Sequence, residues 1–187
     1  MMLVCMKMNC NFIIQNKSSQ FMRISFGLFI LLLVSCTGYS KSLPDYVTID
    51  SITVRKGERK MYVYDNGRFI KCYPIALGAN PRGRKVCRGD CRTPEGLYYI
   101  DDKNPESDYY KNLGISYPNE RDKARARRLG KSPGGDIKIH GLPNGKGYIG
   151  SEHRLYDWTE GCIAVTNREI DELFEHVEIG TPINILP

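Results

Sequence analysis

Apolar and polar residues alternate over Ile52-Thr53-Val54-Arg55 and again over Met61-Tyr62-Val63-Tyr64, with turn signals at Lys56-Gly57 and Asp65-Asn66-Gly67. A period of two sends successive side chains to opposite faces of a strand, so this stretch predicts consecutive β-hairpins. Phe69 to Leu77 supplies a further strand. Residues 78–92 are rich in Gly, Arg and Cys and predict a loop over the sheet, after which Leu97-Tyr98-Tyr99-Ile100 resumes strand character. The basic segment Asn119 to Leu129 can form a short helix ended by Gly130 and Pro133, but a solvated charged face is the favoured reading. A helix is expected from Thr166. In Thr166-Asn167-Arg168-Glu169 the hydroxyl and the carboxylate can each satisfy an orphan amide, and Ile170, Leu173, Phe174 and Val177 then share one face suited to packing on a sheet. Thr181 to Leu186 reads as a closing strand. The predicted fold class is mainly β with one or two short helices.

A chain of 187 residues suits one domain plus an export segment. From Phe26 to Val34 runs FGLFILLLV, too short for the roughly 20 residues of a membrane span and preceded by Arg23, so residues 1–35 read as a cleaved signal for which Met22 is a natural start. Leu33-Val34-Ser35-Cys36 resembles the lipobox of bacterial lipoproteins, which makes Cys36 the expected lipidated N-terminus; an ordinary secretory signal is the alternative. Residues 36–45 have the polar composition of a tether, and residues 46–187 form the expected domain.

Charge narrows the partners. The chain holds 27 Lys and Arg against 21 Asp and Glu, and Lys7, Lys17 and Arg23 belong to the signal. The remaining excess is too mild for nucleic acid but suits work beside an anionic wall polymer or a membrane surface. Of seven cysteines, Cys72, Cys87, Cys91 and Cys162 fall in the domain. An oxidising exterior permits disulfides, and Gly89 allows a tight turn in Cys87-Arg88-Gly89-Asp90-Cys91, so a Cys87–Cys91 bridge is expected with Cys72 as the rival partner.

The candidate chemistry lies in Asp136-Ile137-Lys138-Ile139-His140-Gly141 and, 22 residues after the His, Thr159-Glu160-Gly161-Cys162-Ile163. A strand would deliver the imidazole and a Gly turn the thiol. The imidazole can take the thiol's proton, support the thiolate while it attacks a carbonyl, and later protonate a leaving amine. Gly161 lets backbone approach a substrate, and consecutive amides beside the Cys are candidates to hold an oxyanion. Alone, one Cys and one His are more often a small buried hydrophobe and a structural ring.

These strings resemble the catalytic domain of L,D-transpeptidases, the YkuD type, which has an H-G at the end of a strand and then S/T-x-G-C-I/V. Thr93-Pro94-Glu95-Gly96-Leu97-Tyr98-Tyr99-Ile100 is similar to the family's T-P-x-G-x-Y-x-I string, and Asp157-Trp158-Thr159 with Cys162-Ile163-Ala164-Val165-Thr166-Asn167 resembles the YafK-like branch. The resemblance spans Ile52 to Pro187. It implies a sandwich-like β domain, Cys162 as nucleophile, His140 as base, the Gly141 carbonyl as orienter of the imidazole, and no metal or cofactor. It also implies peptidoglycan stem peptides as partners: an acyl-enzyme formed at the carbonyl between diaminopimelate and D-Ala would be passed to an amine.

Two departures stand out. Ala164 occupies a position where many members carry Arg, and Glu160 precedes Gly161 where a neutral or basic residue is usual, which leaves recognition of substrate carboxylates open. Arg154 is a candidate compensating cation; Arg168, in the first turn of a helix, is expected to be surface charge. His153 is a candidate second site histidine, Trp158 a candidate wall of the acyl groove, and Thr159 either a site hydroxyl or a turn hydroxyl. His176 is expected to be structural or exposed.

Water as acceptor would make the same machinery an L,D-carboxypeptidase or an enzyme releasing wall-attached protein, and a non-catalytic wall-binding lipoprotein is the reading from another class. A zinc site from Cys87, Cys91 and a His lacks paired ligand spacing.

Overall fold

The structure is a computed structural model and describes residues 42–187. The apolar run and Cys36 lie outside the described residues. Among these residues eight strands form one sheet: β1 (Ser51–Arg55), β2 (Lys60–Asp65), β3 (Arg68–Pro74), β4 (Gly96–Ser107), β5 (Tyr110–Ile115), β6 (Lys138–His140), β7 (Ile163–Ala164) and β8 (Pro182–Leu186). Their order is β3-β2-β1-β8-β4-β5-β6-β7. The hairpins at the start form as the alternation predicts, with Ile52, Val54, Met61 and Val63 buried on one face. The last strand, β8, lies mid-sheet, parallel to β1 and antiparallel to β4. Its buried Ile183 and Ile185 join the core formed by the preceding strands.

The sheet curls until its ends meet. Ala76, just beyond β3, bridges Ala164 of β7 through a reciprocal pair of hydrogen bonds at 3.0 and 2.9 Å, and Gly78 bridges Thr159. The sandwich-like expectation is therefore met by one rolled sheet.

Two α-helices form. Helix α2 (Asn167–His176) begins at the Thr166 capping box and buries Ile170 and Leu173 against β5 and β6. Phe174 is half-buried, with the ammonium groups of Lys103 and Lys111 over its ring at 4.8 and 5.4 Å. His176 is structural, its Nδ1 bonded to the Val47 carbonyl at 2.7 Å. Helix α1 (Glu120–Arg128) overturns the expectation of a solvated segment. Asn119 and Asp122 form a capping box, and tertiary contacts supply what propensity does not: Ala126 is buried, and Asp122 accepts from Tyr98 Oη at 2.9 Å and from Arg125.

Candidate active site

The parallel pairing of β6 with β7 brings the two sequence-predicted chemical groups together. Ile139 is registered on Ile163 and His140 on Ala164, so the residue before β7, Cys162, lies beside Lys138 and the strand that ends in His140. Both line a cleft of about 880 Å³. The imidazole Nδ1 lies 2.7 Å from the Gly141 carbonyl. A carbonyl only accepts, so Nδ1 carries the hydrogen and Nε2 keeps its lone pair. Gly141 is close-packed: a Cβ there would fall 2.8 Å from Asn167 Oδ1, which accepts from the Leu142 amide.

His140 is only 4% exposed, and burial pulls its pKa from the ordinary 6.5 down to about 4. Burial also raises the Cys162 thiol above its usual range, opposed by the Lys138 amide and by the positive charges of Lys138 and Lys85. Both shifts have one cause, burial, and both disfavour the charged forms of the two groups. The thiol lies 3.6 Å from the Asp136 carbonyl.

The nucleophile's turn is held from inside. Thr159 Oγ1 donates to the Cys162 carbonyl at 2.8 Å and accepts from the Gly161 amide at 3.1 Å, so it works as a turn hydroxyl while the residue also lines the cleft. The Gly161 amide is thereby engaged, which removes it from the consecutive amides considered for an oxyanion. Gly161 adopts φ 136°, and a Cβ there would fall 2.6 Å from the Arg92 carbonyl, so only glycine fits. Asp157 fastens the same turn to the other end of the sheet, accepting from Arg59 at 2.8 and 3.1 Å and from the Leu77 amide at 2.9 Å. Sequence reasoning missed this carboxylate because its partners lie far away in the chain.

Aromatic rings enclose the base. Trp158 meets His140 edge-on at 5.7 Å between centroids, and Tyr109 lies 4.6 Å from His140 and stacks on Trp158 at 6.1 Å. Tyr109 comes from the turn between β4 and β5, to which the sequence pattern assigned neither strand nor site.

A family model for the L,D-transpeptidase catalytic domain, YkuD, matches residues 49–185. The chain belongs to this family. YafK of Escherichia coli K12, itself assigned only provisionally to the L,D-transpeptidases, is 30% identical over 133 residues, 67% of this chain and 46% of YafK. The chain thus spans about half the length of the curated relatives it matches. The crystal structure of Pgp2, a helical cell shape determining protein of Campylobacter jejuni, superposes with TM-score 0.56 at 26% identity over 75% of this chain and 48% of Pgp2. Bd1075 of Bdellovibrio bacteriovorus gives 0.53 at 26% identity over 78% and 50% of the two chains.

Within this L,D-transpeptidase domain, the other sequence candidates land unevenly. His153 is buried and packs edge-on against Trp158, but it does not line the cleft; burial draws its pKa to about 4. Arg154, the candidate compensating cation, is engaged elsewhere. Its guanidinium pairs with Glu169, the acid of the α2 capping box, and it too lies outside the cleft lining. Ala164 is fully buried and bridged to Ala76, a site with no room for an arginine.

The expected Cys87–Cys91 bridge is absent: all four described cysteines are free thiols. The Asp90 carboxylate holds the loop instead, accepting from the Val86, Cys87 and Arg92 amides at 2.7, 3.1 and 3.1 Å and from Lys85 Nζ at 2.8 Å. Against the pull of burial, these donors keep its carboxyl below the usual range. Among the described residues no three His, Cys, Asp or Glu side chains converge as metal ligands.

Proposed function

We propose that this domain is a cysteine acyltransferase of the cell wall that forms a thioester between Cys162 and a peptidoglycan stem peptide and passes it to an amine. The observation that carries this reading is the presence on one cleft of a thiol and a buried imidazole whose Nε2 lone pair is left available by the Gly141 hydrogen bond. Cys162 Sγ attacks the carbonyl carbon between diaminopimelate and D-Ala as His140 Nε2 takes the thiol proton. The tetrahedral oxyanion collapses, the C–N bond breaks, and His140 returns the proton to the departing D-Ala amine. An incoming stem amine then attacks the thioester, gives its proton to His140, and releases the thiol.

Incubation of the protein with tetrapeptide muropeptides, followed by mass spectrometry, tests the reading. Crosslinked dimers plus free D-Ala from the wild type, and neither from Cys162→Ala, are expected. Shortened monomeric stems as the sole product would make water the acceptor, and unchanged turnover by Cys162→Ala would overturn the mechanism. We further propose export and lipid anchoring at Cys36; an intact mass showing a mature chain that starts elsewhere would refute it.

A further inference from the structure

Three basic side chains line the cleft, and two of them are already neutralised. Lys85 pairs with Asp90 and Lys138 with Asp136, each at 2.8 Å. The third, Arg88, is exposed and has no hydrogen-bond or ion-pair partner for its guanidinium among the described residues.

Its backbone is fixed nonetheless. The Arg88 amide donates to the Ser132 carbonyl at 2.9 Å, and Gly134 abuts it so closely that a Cβ there would fall 3.3 Å from Arg88 Cα. The Asp90 carboxylate ties the turn on either side of it, and the end of that loop packs on the nucleophile's turn through the Arg92 carbonyl and Gly161. The guanidinium is therefore carried by a braced loop resting on the turn that presents Cys162.

The surroundings favour an anion on this side. The loop that carries Arg88, residues 82–92, holds five basic residues against one acid, although the described chain as a whole is nearly balanced. A wall of one sign raises the local concentration of opposite charge. Other residues lining the cleft, Glu106, Asp108 and Glu160, are acidic, so the cleft suits a ligand bearing both carboxylate and amino groups rather than a uniform polyanion.

We infer that Arg88 is a specificity-determining residue that binds a carboxylate of the donor stem peptide while its scissile carbonyl lies at Cys162. This rests on the stem-peptide reading above. A planar guanidinium meets a carboxylate with two parallel N–H···O bonds, a geometry that a carboxamide cannot reproduce.

The test is binding of a tetrapeptide stem to the full chain carrying Cys162→Ala, so that no turnover is needed, with the parent peptide and forms in which one carboxylate at a time is a carboxamide. Titration calorimetry should show one amidation weakening binding roughly tenfold, the order expected for a charge-assisted pair at a partly solvated site. Adding Arg88→Ala should weaken the parent by the same factor and make binding indifferent to that amidation, with Arg88→Lys recovering part of the loss. In the active enzyme the same substitution should raise KM more than it lowers kcat. Retention of the full amide sensitivity in Arg88→Ala, unchanged affinity for the parent, or no measurable binding of the parent each overturns the inference. Wild-type crosslinking in the muropeptide assay would still stand, so the two failures are distinguishable.

Discussion

The ring of Tyr109 lies 4.6 Å from the imidazole of His140, tilted by 51°. Tyr109 is itself 39% exposed, so it screens the base from solvent without being part of the core. Tyr109→Ala should admit water to His140 and move its pKa upward from about 4 toward 6.5, measurable by NMR titration of the ring protons. Loss of ring positioning should lower kcat/KM by roughly ten- to a hundredfold. An unchanged titration would show that Trp158 and the backbone suffice.

Acid should affect activity and stability over different ranges. With His140 neutral until about pH 4, the acid limb of the kcat/KM profile should fall near pH 4 and not near 6.5. Stability should weaken earlier. His140 and His153 are both buried neutral with depressed pKa values, so the unfolded chain gains protons first as pH drops below 6.5, and stability is lost progressively down to about 4. Thermal melts across that range check the sign: a Tm that rises on acidification would contradict it.

Thr159→Val keeps the shape of the side chain and removes both hydrogen bonds that lock the nucleophile's turn. The Gly161 amide and Cys162 carbonyl lose that partner, so a destabilisation of about 1–3 kcal/mol by denaturant titration is expected. Acylation should slow, since the turn no longer aims the thiol. Thr159→Ser should retain both properties.

Cys87→Ser with Cys91→Ser should leave Tm and turnover close to wild type, because no bond joins the two thiols. Asp90→Asn should do more damage, since one carboxylate organises three amides and an ammonium. A large loss of stability in the double serine protein alone would show that the loop depends on a bridge.

The sequence revealed what is local. Strand alternation around Ile52 to Tyr64 and the Thr166–Glu169 cap depend on neighbours a few residues apart, and both form as expected. Helix α1 was misjudged because its charges suggest solvent, whereas Asp122 is bound by Tyr98 from another strand. The central place of β8 was hidden for a related reason: alternation identifies a strand but not its neighbours. At the site, His140 and Cys162 stood out through their flanking residues. Tyr109, Asp157 and Arg88 did not, because their significance comes from contacts across the curled sheet.

The bridge between Ala76 and Ala164 joins residues about 90 positions apart, and the strand that directly follows the nucleophile is only two residues long. Such a short strand cannot hold itself in place; it depends on a distant segment arriving to cover its open side. The thiol should therefore acquire its geometry late in folding, after most of the chain is in place. A half-folded molecule would carry Cys162 as an ordinary sulfhydryl, so chemical competence would act as a proofreading signal that the whole domain has been completed.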